Sequence, residues 1–139
     1  VQSTGTDRGG FYISTGTYPG IYLRGKYYNS NDGDDYIYSQ YIVNSKSVNL
    51  TPFSQLKVTF RSNYGRGSDG LGGECRIVLL NTSKSTIKSS SQVSGGYFVS
   101  TVVSLDVSSI NVQAFFRIQS ESVMATYGEM IIEKIEFTK

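Results

Sequence analysis

Apolar and polar residues alternate at every second position along most of this chain, and no three-to-four spacing persists long enough to suggest a helix. In LKVTFRS, Leu56, Val58 and Phe60 alternate with Lys57, Thr59 and Arg61, which predicts a strand with one core face and one wet face. CRIVLLN places Cys75, Ile77 and Leu79 on one face and Arg76, Val78 and Leu80 on the other, the pattern of a central strand covered on much of both sides. VSTVVSLDV groups Val99, Val103, Leu105 and Val107 against Ser100, Ser104 and Asp106. IIEKIEFT aligns Ile131, Ile135 and Phe137, with Glu133 as the exception.

Extending this period along the chain predicts strands over 11–14, 21–28, 35–43, 55–64, 74–82, 86–91, 97–107, 112–120 and 129–139. They are rich in Tyr, Phe, Val, Ile and Thr, residues that suit a pleated, half-buried surface. The breaks carry turn chemistry in TYPG, NSNDGDD, YGRGSDGLGG, NTSKS and SGG. Without helices to cross between parallel strands, the expected fold is all-β: an antiparallel two-sheet β-sandwich of roughly 8–10 strands. The 139 residues, of uniform composition, suit one domain spanning 1–139, with 1–10 expected to be a flexible leader or linker.

Composition narrows the chemistry. Histidine is absent, so Ser-His-Asp and Cys-His catalysis within one chain are excluded. A carboxylate pair acting on a glycoside and an oxygen-rich calcium loop remain to be tested. The acids lie in turns or among lysines, as at Glu133, Lys134 and Glu136, and the chain is expected not to be an enzyme. The single cysteine, Cys75, shares a face with Ile77 and Leu79 and reads as a core residue. No apolar run is long enough to span a membrane. Val1 stands where an initiator methionine would, which suggests a processed product or a segment of a larger protein. A net charge of +2 offers no large field for nucleic acid or anionic membrane, and any partner is expected to be neutral.

Three features are candidates for binding. The acidic cluster NSNDGDD gathers Asn31, Asp32, Asp34 and Asp35 around Gly33; it reads either as a hairpin connection or as a calcium site with Asp32, Asp34 and Asp35 as ligands. The glycine-rich stretch 63–74 carries Tyr64, Arg66, Asp69 and Glu74, a ring and polar groups that a loop could offer to a sugar; the alternative is a hairpin loop with no ligand. Its glycines lack the lysine and the helix of a phosphate-binding loop. Eleven tyrosines and seven phenylalanines, with no tryptophan, supply rings that could stack on a pyranose, among them Tyr27, Tyr28, Tyr36, Tyr38, Tyr64, Tyr97 and Tyr127, although strand tyrosines are commonly structural.

The runs VNLTPFSQLKV and VSLDVSSI, the latter followed by the FFRI strand, resemble the jelly-roll β-sandwich of galactose-binding-like and carbohydrate-binding-module domains over residues 21–139. Such modules decorate secreted glycoside hydrolases, bacterial surface proteins and phage tail proteins, and often hold a structural calcium. The resemblance implies a non-catalytic carbohydrate-binding or adhesion module, located outside the cell, at its surface or in a virion. Its expected partner is a surface or wall polysaccharide, with Tyr64, Arg66, Asp69, Glu74, Tyr97 and Tyr127 as ligand-binding candidates. A structural or assembly domain of a phage tail or capsid, with subunit contacts in place of sugar binding, is the alternative.

Overall fold

A computed structural model describes the backbone of residues 2–4, 10–29, 35–37, 39–62, 74–95, 99–121 and 127–139, and the side chains of 13–23, 41–62, 74–95, 99–120 and 130–139. In chain order the strands are β1 (Gln2–Thr4), β2 (Gly10–Ser14), β3 (Gly20–Asn29), β4 (Asp35–Ile37), β5 (Ser39–Val43), β6 (Val48–Asn49) and β7 (Gln55–Ser62). They continue with β8 (Glu74–Leu80), β9 (Thr86–Ser89), β10 (Val93–Ser94), β11 (Thr101–Asp106), β12 (Gln113–Glu121) and β13 (Tyr127–Thr138). Among the described residues there is no helix, and the strands form two sheets in which every pairing is antiparallel.

The seven-stranded sheet runs β1-β5-β12-β8-β10, with β6 also on β12 and β9 also on β8; the six-stranded sheet runs β11-β7-β13-β3-β2, with β4 on β3. The expected count of 8–10 strands falls short of these elements largely because two tracks are interrupted. β5 and β6 both pair with β12, and β9 and β10 both pair with β8. The stretch expected to be a leader contains β1, which pairs with β5 through Gln2 and Tyr41.

The inner faces meet as the period-two reading requires. Leu56, Val58 and Phe60 of β7, Cys75, Ile77 and Leu79 of β8, Val103 and Leu105 of β11 and Ile118 of β12 are all buried in one cluster. Burial pushes the Cys75 thiol up to about 12, so it stays protonated and packs as a small apolar group. Phe53, Phe116 and Phe137 pack against this core, with Phe137 5.0 Å from Phe53 and edge-on to Phe116 at 5.7 Å. The VSLDVSSI run is a turn built on Asp106, whose carboxylate accepts from the Ser108 amide and hydroxyl at 2.9 and 2.6 Å. Those bonds hold the Asp106 carboxyl below its usual range.

Three sequence expectations need correction. The single strand expected over 35–43 is two strands in different sheets: β4 pairs with β3, while β5 pairs with β1 and β12. Alternation is preserved across such a switch, so the period alone did not reveal it. Ile131 does not share a face with Ile135 and Phe137. β13 carries a bulge at Glu133, so that Ile132, Ile135 and Phe137 oppose Phe60, Val58 and Leu56, and Ile131 opposes Arg61 on the outer face. Val99 is exposed because it precedes the paired stretch, which begins at Thr101.

Candidate ligand-binding face

The outer face of the seven-stranded sheet is read off its register. β12 presents Phe115, Arg117 and Gln119, which oppose Leu80, Val78 and Arg76 of β8; on the other side Arg117 opposes Val43 and Gln119 opposes Tyr41 of β5. Val78 and Leu80 are buried although they face away from the core, so neighbouring side chains cover this face. It holds an open cleft of about 440 Å³ lined by Tyr41, Val43, Asn44, Ser45, Leu80, Lys84 and Arg117.

Two asparagine-built turns wall the cleft. At the first, the Asn44 side chain accepts from the Phe116 amide at 2.8 Å and donates to the Lys46 carbonyl at 2.5 Å, so a side chain substitutes for the ladder and the chain leaves β12 between β5 and β6. At the second, Asn81 accepts through its side chain from the Ser85 amide at 2.9 Å, and through its carbonyl from the Lys84 amide at 2.9 Å. That turn places Lys84 at φ 64°, a left-handed conformation that glycine or asparagine adopts more readily.

Tyr41 in the lining, and Phe115 beside the lining residue Leu80, are rings that are each capped by a cation. The Arg117 guanidinium lies 5.1 Å from the centre of Tyr41, and the Lys84 ammonium 2.8 Å from the centre of Phe115. Farther along the same face, Arg76 donates to Gln92 at 2.7 Å, and Gln92 in turn donates to Glu74. An apolar floor, two rings and convergent polar groups form a surface suited to a ligand that is itself part apolar and part hydroxylated.

The outer face of the six-stranded sheet is covered around Tyr22 and Ile131. Tyr22 and Ile131 oppose one another there and are both buried; residues 15–19 fold back over them, with the Tyr22 hydroxyl donating to the Tyr18 carbonyl at 2.9 Å. Arg61 lies 4.7 Å from the Tyr18 ring centre and donates from Nε to Glu133 at 2.6 Å. Ser100 joins them, accepting from Arg61 at 3.1 Å and donating to Glu133 at 2.7 Å.

Of the residues expected to bind a ligand, Tyr64, Arg66, Asp69 and Tyr97 lie outside the described residues, as do Asp32, Asp34 and Tyr38. Glu74 opens β8, opposite Glu121 and Ser94. Tyr127 opens β13 in the other sheet, opposite Lys26. Asp35 opens β4 opposite Asn29, so the acidic cluster joins two paired strands. For Tyr127 and Asp35, as for Tyr27, Tyr28 and Tyr36, only the backbone is described. Glu74 begins β8 and the cleft sits around Leu80 at that strand's other end, so the two lie apart along the face. Among the described residues, no group of three or more Cys, Asp or Glu is placed to hold a metal ion.

Sequence reasoning missed Tyr41, Lys84, Phe115 and Arg117. The alternation of FFRIQ carried part of the signal, since it puts Phe115, Arg117 and Gln119 on the face opposite Phe116 and Ile118. Their convergence with Tyr41 and Lys84 depends on strand neighbours that are distant in sequence.

Among solved structures the chain resembles a family 11 carbohydrate-binding module from Clostridium thermocellum, in complex with a β-1,3-1,4-mixed-linked tetrasaccharide. The match covers 99% of this chain and 86% of that one, with a TM-score of 0.60 and 10% sequence identity. The fold is a jelly-roll β-sandwich. A second match, to the enzymatically active domain of bacteriophage CBA120 tailspike protein 4, covers 98% of this chain but only 18% of that one, with a TM-score of 0.46 and 11% identity. No protein-family model and no curated protein sequence matches the chain. At these identities the likeness to solved structures concerns the fold alone.

Proposed function

We propose that this domain is a non-catalytic carbohydrate-binding or adhesion module of a larger secreted, cell-surface or virion protein. In this reading a saccharide lies on the outer face of the seven-stranded sheet. The observation that carries it is the cleft, where Tyr41, Arg117, Lys84 and Asn44 stand over Val43 and Leu80, with Phe115 adjoining the lining through its partner Leu80 and the Lys84 ammonium. Rings can cover the apolar face of a pyranose while guanidinium, ammonium and amide groups bond its hydroxyls. The fold shared with a saccharide-bound module supports the reading by analogy. The residues lining the cleft include no carboxylate, so they offer no acid and nucleophile pair for glycoside hydrolysis.

A glycan array followed by calorimetry tests the proposal. Binding should be found, and Tyr41→Ala or Phe115→Ala should weaken it by about tenfold, equivalent to about 1.4 kcal/mol, without altering the fold. An array with no binding, or binding indifferent to both substitutions, would contradict it.

A second reading, an assembly domain, draws on the outer strands of the six-stranded sheet, where β2 exposes Ile13 and β11 exposes Val102. A stable symmetric oligomer in light scattering, broken by Ile13→Lys or Val102→Lys and accompanied by no sugar affinity, would favour it.

A further inference from the structure

On the reading that the open face takes a saccharide, we infer that the saccharide is anionic, carrying carboxylate or sulfate groups that lodge between Arg117 and Lys84. The cleft lining contains both of these cations and no carboxylate. Arg117 is flanked across the sheet by Val43 and Val78, which cannot neutralise it. Its Nε is buried with no hydrogen-bond partner, and among the described residues no acid forms an ion pair with it. A partly desolvated guanidinium without a counter-charge is costly to maintain, and an oxyanion from the ligand would complete it; the planar fork matches carboxylate geometry closely.

Lys84 makes an independent contribution. Among the described residues it is the one non-glycine residue with positive φ, and the Asn81 turn holds it there. A glycine or asparagine would relax that backbone, whereas lysine retains it and delivers an ammonium to Phe115. Phe115, under Lys84, and Tyr41, under Arg117 and opposite Gln119, are four residues apart in the β12 register, about 13 Å along the strand direction. Both cations line the one cleft and could meet acidic groups on successive sugars. At the other end of β8, Arg76 also has a buried Nε without a partner, and it differs in being tied through its terminal nitrogen and Gln92 to the Glu74 carboxylate. The cationic character is local, and a net charge of +2 over the whole chain conceals it.

The experiment is calorimetry on the intact domain with four probes of matched length: oligogalacturonate, the same oligosaccharide methyl-esterified, a sulfated oligosaccharide, and a neutral mixed-linked glucan, after an array of acidic and neutral glycans has ranked the ligands. Acidic glycans should bind at least about tenfold more tightly than neutral or esterified counterparts, and that preference should shrink as salt is raised from low to high ionic strength. Preference for the uronate over the sulfated probe assigns the oxyanion as carboxylate, and the reverse assigns it as sulfate; either outcome supports the inference. Arg117→Gln should abolish the preference, and Arg117→Lys, which keeps the charge without the fork, should retain part of it. Thermal melting of both variants establishes that they fold. Equal binding of neutral glycans, unchanged in Arg117→Gln, would overturn the anionic assignment while leaving saccharide binding intact. No binding to any glycan would remove the saccharide reading and this inference with it.

Discussion

Each outer face of the sandwich places an arginine over a tyrosine ring, and the two pairs have different surroundings. On the six-stranded sheet, Arg61 over Tyr18 is bonded to Glu133 and Ser100, with the Arg61 and Glu133 side chains only 19% and 20% exposed. On the seven-stranded sheet, Arg117 over Tyr41 stands beside valines in an open cleft, with its Nε unpaired. The first arrangement is internally complete and fixes a covering turn to the sheet. Among the described residues the second has no counter-ion, and a ligand could bring one. The same cation–aromatic contact thus serves cohesion where a carboxylate accompanies it, and is available for binding where none does.

This contrast can be broken from either side. The largest effect is expected at Gly20, which leads from the covering turn into β3. Its φ is 155°, and a side-chain carbon there would press into the Ile132 carbonyl oxygen and come within 2.9 Å of Ile131. Gly20→Ala should destabilise the domain by about 3 kcal/mol, measured by denaturant melting, through strain and displacement of the packed backbone. Next, Glu133→Ala leaves Arg61 without its carboxylate and should cost about 1–2 kcal/mol of stability while leaving glycan affinity within about twofold of the parent. Arg117→Met should do the opposite, with stability within about 0.5 kcal/mol of the parent, because no internal ion pair is lost, and affinity for the preferred glycan reduced by about tenfold. A large stability loss in Arg117→Met would place this arginine in the same structural class as Arg61. The smallest effect is expected at Lys84. Lys84→Asn should raise stability by about 0.5 kcal/mol as the left-handed backbone relaxes, and should weaken acidic-glycan binding by about threefold.

Much of the fold was legible in the sequence because burial in a sandwich imposes a period of two wherever one face is core. The frames of β7, β8 and β12 carry directly into the observed register. The failures also have physical causes. Glu133 stood out as a charge in an apolar frame because β13 inserts a residue there, and a fixed period cannot accommodate the insertion. The sheet change between β4 and β5 leaves alternation untouched and is therefore silent in sequence. The candidate binding face was harder to read because the conspicuous sequence signals lie in glycine-rich and acidic connections, whereas the cleft combines outward residues from three strands with two ordinary-looking turns. Lys84 in NTSKS is a turn lysine in sequence, and only its backbone conformation and its ring contact distinguish it.

The central claim is that ligand binds the open face of the seven-stranded sheet, and mapping amide and side-chain NMR shifts during titration with the preferred glycan tests it most directly. The account predicts that the shifts concentrate on Tyr41, Val43, Asn44, Lys84, Phe115 and Arg117, with Tyr18, Arg61 and Glu133 unmoved. Shifts confined to the 63–73 connection, to Tyr127, or to the Arg61 face would contradict it.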